Sequence, residues 1–201
     1  ILIAGGTLVY GGRIRPSGYT QFLMHEVRRY GSAGRLLVCL AEPEHAKLSR
    51  AELDAVDRDL GALGRVVCLD GDGTELPDLW RLKPDDARPV HDANAKRNAY
   101  SALRRYMTSQ SHARVVLGGQ LAGFEGRQPG VVEEAFLALQ AGQPLYVAAG
   151  FGGAAALIAI ALQLDGIGWL PPSLPAVEEG DARGWREQIA SAASAAGVSH
   201  G

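Results

Sequence analysis

Residues 115–135 read VVLGGQLAGFEGRQPGVVEEA. The run Arg114 to Leu117 has the short, continuous apolar character of a strand buried on both faces. A glycine-rich loop follows from Gly118, with Pro129 where a helix begins and Glu133 and Glu134 in its first turns. The spacing predicts that helix from about Gly130 to Ala141, closed by Gly142. Strand, loop and helix in this order make the repeating half of a parallel α/β sheet.

The same unit recurs on both sides. Thr7 to Tyr10 reads as a strand ending at Gly11-Gly12, and Tyr19 to Tyr30 has helical apolar spacing and stops at Gly31. Arg35 to Leu40 and Val66 to Leu69 are further strands. Ser49 to Leu63 is a helix whose Ser49 and Glu52 form a capping-box pattern and whose end is assigned to Gly64. Asp70 to Pro89 is loop-like, and Asn94 to Ser109 is helical. Downstream, Leu145 to Ala148 is a fifth strand and Gly152 to Leu164 a helix. A connector from Pro171 to Pro175 leads to a last helix near Arg183 to Ala196. Alternation of this kind predicts an α/β fold, a Rossmann-like three-layer domain with a mainly parallel sheet flanked by helices. Residues 1–201 read as one domain. Ile1 to Ala4 read as the end of a helix, so that a first strand and part of that helix would lie upstream.

The chain has 201 residues, 47% hydrophobic and 21% charged, with 20 basic and 22 acidic side chains and a net charge of -2. That balance supplies no bulk attraction to nucleic acid or anionic membrane. Cys39 and Cys68 lie singly in apolar runs and read as buried thiols. His25, His45, His91, His112 and His200 show no ligand spacing, so neither a metal site nor a disulfide framework is expected. Pro144 to Leu164 is uncharged but interrupted by Gly150, Gly152 and Gly153, which fits strand, turn and buried helix rather than a membrane span. No leader is visible, and the expected compartment is the cytoplasm.

Three strands end in glycine pairs: Gly11-Gly12, Gly118-Gly119, and Gly150 followed by Gly152-Gly153. Ligands of open parallel sheets bind at the carboxyl ends of strands. Glycine there permits close backbone approach, and the next helix start offers N–H groups and the positive end of its dipole. The three turns therefore suit phosphate or pyrophosphate. None is a Walker A loop, and no clean GxGxxG turn with a ribose-binding acid follows, so P-loop NTPase and ordinary NAD dehydrogenase fit poorly. Arg127 in the loop, and Arg104 or Arg105 on the preceding helix, are candidate phosphate partners. Glu133 or Glu134 is a candidate for ribose hydroxyls.

The ordered set Tyr10-Gly11-Gly12, Gly18-Tyr19-Thr20, Gly118-Gly119, Gly126-Arg127-Gln128-Pro129-Gly130, Glu133-Glu134 and Gly150-Phe151-Gly152-Gly153 resembles the SLOG superfamily, named for the SMF/DprA and LOG proteins. It is most similar to the sensor branch found in Thoeris anti-phage effectors, with a related domain in melastatin-type TRP channels. The resemblance implies a ligand-sensing domain, leaning away from an enzyme, for an NAD-derived nucleotide such as ADP-ribose or cyclic ADP-ribose. It also implies a homo-oligomer and a fused or partner effector, with no separate cofactor. The implied ligand-binding residues are Gly11, Gly12, Arg13, Thr20, Arg104, Arg105, Gly118, Gly119, Gln120, Arg127, Gly130, Glu133, Glu134, Gly152 and Gly153. The alternative is a LOG-like phosphoribohydrolase using Arg104 or Arg105 with Glu133 or Glu134. The Gly-Gly-x-Gly-Thr turn of those hydrolases is absent, because Gln120, Leu121 and Ala122 follow Gly118-Gly119. A DNA-handling role like that of DprA fits poorly, with lysine only at Lys47, Lys83 and Lys96. Ala154 to Leu162 is apolar on every face, as either an oligomer contact or a buried core helix would be.

Overall fold

A computed structural model describes residues 1–14, 18–30, 33–77, 87–168, 170 and 179–198. Gly31, the Pro171 to Pro175 connector and His200 lie outside the described residues. The chain divides into two compact units, residues 1–110 and 111–201.

Unit 1 opens with one 3-10 turn, Leu2–Ala4, capped by Gly5 and lying outside the sheet. Then come β1 (Leu8–Gly11), α1 (Tyr19–Tyr30), β2 (Leu36–Leu40), α2 (Glu42–His45), α3 (Arg50–Leu60), β3 (Gly64–Cys68) and α4 (Ala93–Ser109). The strands are parallel in the order β1-β2-β3, with Tyr10 opposite Val38 and Val38 opposite Val66. All five residues of β2 are buried, and strand alternation divides them between two cores. Leu36, Val38 and Leu40 join Met24 and Val27 of α1 and Leu53 and Leu60 of α3. Leu37 and Cys39 join Tyr100, Leu103 and Met107 of α4. Helices thus cover both faces of this sheet. Each fully buried large aliphatic side chain contributes about 1.5–3 kcal/mol.

Local signals set the helix ends. The Ser49 hydroxyl accepts from the Glu52 amide at 3.3 Å, and the Ser49 amide donates to the Glu52 carboxylate at 2.7 Å. Asp92 caps α4 by accepting from the Ala95 amide at 2.6 Å. The α-helical part of α3 ends at Leu60 with Gly61, at φ 48, as its cap; a 3-10 turn, Gly61–Leu63, continues it to Gly64, which closes that turn as expected and is also the first residue of β3. It pairs with Leu36 so closely that a Cβ would overlap the Leu36 carbonyl oxygen. Glycine is needed there for approach between strands as well as at the end of the turn.

Unit 2 comprises β4 (Arg114–Leu117), α5 (Gly130–Gln140), β5 (Leu145–Ala148), α6 (Gly153–Ala161) and α7 (Glu179–Ala195). The two strands are parallel, with Val116 opposite Val147. The five strands are thus distributed over two parallel sheets rather than the single sheet expected. Val116, Val132, Ala135, Leu139, Leu157, Ile158 and Ile189 form one core between the sheet and the three helices. Ala154 through Ala159 are all buried, so the all-round apolar pattern of α6 is that of a core helix. Gly142, at φ 65, closes α5 as expected, its amide and that of Gln143 turning back to Leu139 and Ala138.

The architecture is a mixed α/β, Rossmann-like one, with parallel sheets flanked by helices. Among the described residues no helix is long and apolar enough to cross a membrane. Cys39 and Cys68 are both buried, and neither is in a disulfide.

Candidate functional site

In unit 1 the carboxyl ends of β1 and β2 bring polar groups together. The main chain leaves β1 through Gly11 and Gly12, and the Gly12 amide donates to the Cys39 carbonyl at 3.3 Å. Gly11 faces Met107 and Leu103 of α4, while the Tyr10 ring fills the space a Gly12 side chain would need. Both glycines therefore serve packing as well as any ligand. The Arg13 carbonyl accepts from the buried Thr20 hydroxyl at 3.0 Å, which ties the start of α1 to the end of β1. Thr20 spends its donor on that bond.

The Arg13 side chain turns to Glu44, with Nε 3.5 Å from Oε1. The same oxygen receives Lys47 Nζ at 3.2 Å and the Tyr100 hydroxyl. The Glu44 side chain is only 8% exposed. Burial of a carboxylate this deep requires such partners, since an unpaired buried charge is strongly destabilising. The Arg104 guanidinium lies 5.9 Å from the centre of the Tyr100 ring, a cation–π geometry. Two residues singled out from sequence, Arg13 and Arg104, are thus joined by two that were not, Glu44 and Tyr100. Arg105 is exposed on the same helix. His45, next to Glu44, places Nε2 2.8 Å from the Leu69 carbonyl and so anchors α2 to the end of β3.

A second cluster in unit 1 fixes the loop after β3. Glu75 pairs with Arg65 at 3.1 Å and accepts from the Tyr106 hydroxyl. Hydrogen bonds from Arg65 and then Tyr106 hold its carboxyl below the usual range. Burial, followed by the hydrogen bond to Glu75, pushes the Tyr106 phenol up.

In unit 2 the two glycine turns interlock. Gly118 and Gly119 have φ 55 and 93, and Gly152 and Gly153 have φ 70 and 58. The Ala154 and Ala155 amides at the start of α6 donate to the Gly119 and Gly118 carbonyls at 3.0 and 2.8 Å. These two amides are therefore engaged within the protein. The start of α5 differs: Pro129 precedes it, and no side chain caps it. Gln120 and Arg127 are exposed in the intervening loop, whose Phe124 packs edge-on against Trp185 at 5.8 Å. Gly130 is the first residue of α5.

The two acids of α5 separate into different environments. Glu134 pairs with Arg114 at 3.4 Å, and the Arg114 side chain is 8% exposed. Glu133, one residue earlier, is buried in the first turn. Arg114 was legible only as the start of a strand, because its partner lies 20 positions away.

Glycine turns at the carboxyl ends of parallel strands, each followed by a helix, are features of Rossmann-like proteins. Over residues 1–178 the chain matches the family model described as SLOG cluster2, and it belongs to that family. Membership points to a nucleotide-related function. No curated protein and no solved structure matches the chain.

Proposed function

We propose that the chain binds and senses an NAD-derived nucleotide, of the ADP-ribose or cyclic ADP-ribose type, and regulates a fused or partner effector. The anti-phage setting of the Thoeris-like sensor branch is the context this reading favours. The observation that carries it is the group at the end of β1 and β2: a glycine turn followed by Arg13, with Arg104 held on Tyr100. Cations beside a glycine turn at a strand's carboxyl end suit the phosphates of a nucleotide.

In this reading Gly11, Gly12 and Arg13 of unit 1 meet phosphate, with Arg104 or the exposed Arg105 beside them. In unit 2, Gly118, Gly119, Gln120, Arg127 and the uncapped start of α5 at Gly130 are anion-binding candidates in their own right. Gly152 and Gly153 shape that turn. Glu133 or Glu134 is the acid offered to ribose.

Calorimetry with linear and cyclic ADP-ribose, NAD and nucleoside monophosphates tests this. Micromolar binding of an ADP-ribose compound without turnover is expected. No binding at high micromolar concentration would sink it. Release of free base from a nucleoside monophosphate, abolished by Glu133→Gln or Glu134→Gln, would replace it with the phosphoribohydrolase reading. The oligomeric expectation is tested by light scattering with and without the nucleotide.

A further inference from the structure

The Glu44 carboxylate is arranged asymmetrically. Arg13, Lys47 and Tyr100 all act on Oε1. Among the described residues none bonds to Oε2, and that oxygen is not one of the buried side-chain atoms left without a partner. Oε1 is held by three donors, and the second oxygen of a carboxylate can accept in its own right.

Three facts narrow what Oε2 would accept. Glu44 follows β2, the immediate neighbour of β1 and its glycine turn. An acid in that position of a nucleotide-binding α/β sheet is placed for a ribose hydroxyl. Arg13 and Lys47 bring two positive charges to one negative, so a cationic donor would be repelled, whereas a neutral hydroxyl would not. The net positive charge also favours an anionic group beside that hydroxyl. A ribose hydroxyl flanked by phosphate has this combination.

We propose that Glu44 is a ribose-binding carboxylate, its Oε2 accepting from a sugar hydroxyl while Arg13 meets the adjoining phosphate. Lys47 and Tyr100 are positioning residues: they hold Oε1 so that Oε2 faces the ligand. This rests on the nucleotide-binding reading above and names a residue of that site.

The test is calorimetry on the full chain with ADP-ribose and cyclic ADP-ribose, and with analogues of each lacking the 2′-hydroxyl of one ribose. The wild-type chain is expected to prefer one parent over its deoxy analogue by about tenfold or more, because the bound analogue covers the acceptor without pairing it. In Glu44→Gln that ratio falls to about twofold or less. Tyr100→Phe, which keeps the carboxylate but removes a donor to Oε1, reduces the ratio too and serves should Glu44→Gln fail to fold. Arg13→Ala removes a phosphate contact and a donor to Oε1 together, so it weakens the parent and lowers the ratio as well. Tight binding with no discrimination against any deoxy analogue, or with discrimination unchanged in Glu44→Gln or Tyr100→Phe, overturns the assignment of Glu44 while sparing the nucleotide reading. No binding of either parent overturns both.

Discussion

Gly153 lies directly against the carbonyl oxygen of Gly119, with no room for a side chain between them. The contact locks the turn after β4 to the turn after β5, and the Ala154 amide donates to the same carbonyl. Gly153→Ala meets both a steric overlap and φ 58, and is expected to cost about 3 kcal/mol or more. Gly152→Ala faces a similar φ of 70 but open space, and is expected to cost about 1 kcal/mol. Urea titration of both variants checks this; equal losses would show that the overlap is relieved by a small backbone shift.

The pair Arg114 and Glu134 predicts strong coupling. Glu134→Ala removes this ion pair from the buried guanidinium and is expected to cost about 3 kcal/mol. Adding Arg114→Leu removes the charge as well, so the double variant should lose clearly less than the sum of the two single changes. Additive losses in denaturant titrations would mean that Glu134 does not balance Arg114.

Ser49 supplies one half of a complete capping box. Ser49→Ala should lower stability by about 1 kcal/mol, and Ser49→Asp should restore most of it. Thermal melts of the three proteins decide the point. An unchanged midpoint in the alanine variant would show that Leu53 and Leu60 hold α3 without its cap.

Glu75 gives the chain an acid-sensitive contact. Its folded carboxyl titrates below its ordinary value because Arg65 and Tyr106 donate to it. A depressed carboxylate contributes stability that is present above the unfolded value, near pH 4.3, and is lost as pH falls through the folded one. Glu75→Gln should therefore flatten the decline in stability on acidification below about pH 4.3. Tyr106 runs the other way: its raised phenol favours the folded state below about pH 10, and that contribution fades as pH rises through the folded value. Stability profiles of wild type and Glu75→Gln at both extremes are the measurement, and parallel curves would refute it.

Much of this architecture was legible locally. Tyr19 to Tyr30, Arg114 to Leu117 and Leu145 to Ala148 were bounded to the residue, because apolar period and breakers agree there. Ser49 and Glu52 announced their own box. The errors fall where a residue's role depends on a distant partner. Gly64 was legible as a helix stop, but not that the neighbour excluding a side chain there is Leu36, in another strand. Glu44 and Tyr100 carry no motif, and they meet only because α2 and α4 pack together, the two residues lying 56 positions apart in sequence. Gly11, Gly12 and Arg13 were visible as a turn; that Arg13 engages a buried carboxylate was not.

The alternation of β2 and β3 has one more consequence. Cys39 belongs to the core beneath α4, together with Tyr100 and Met107, whereas Cys68 belongs to the opposite core with Met24 and Leu53. A thiol reagent reaches either sulfur only when the corresponding helix layer lifts. The molecule therefore carries two built-in reporters of local opening, one for each side of the same sheet. Slower alkylation of Cys39, but not of Cys68, on adding a nucleotide would reveal that the ligand clamps the α4 side, with no label introduced.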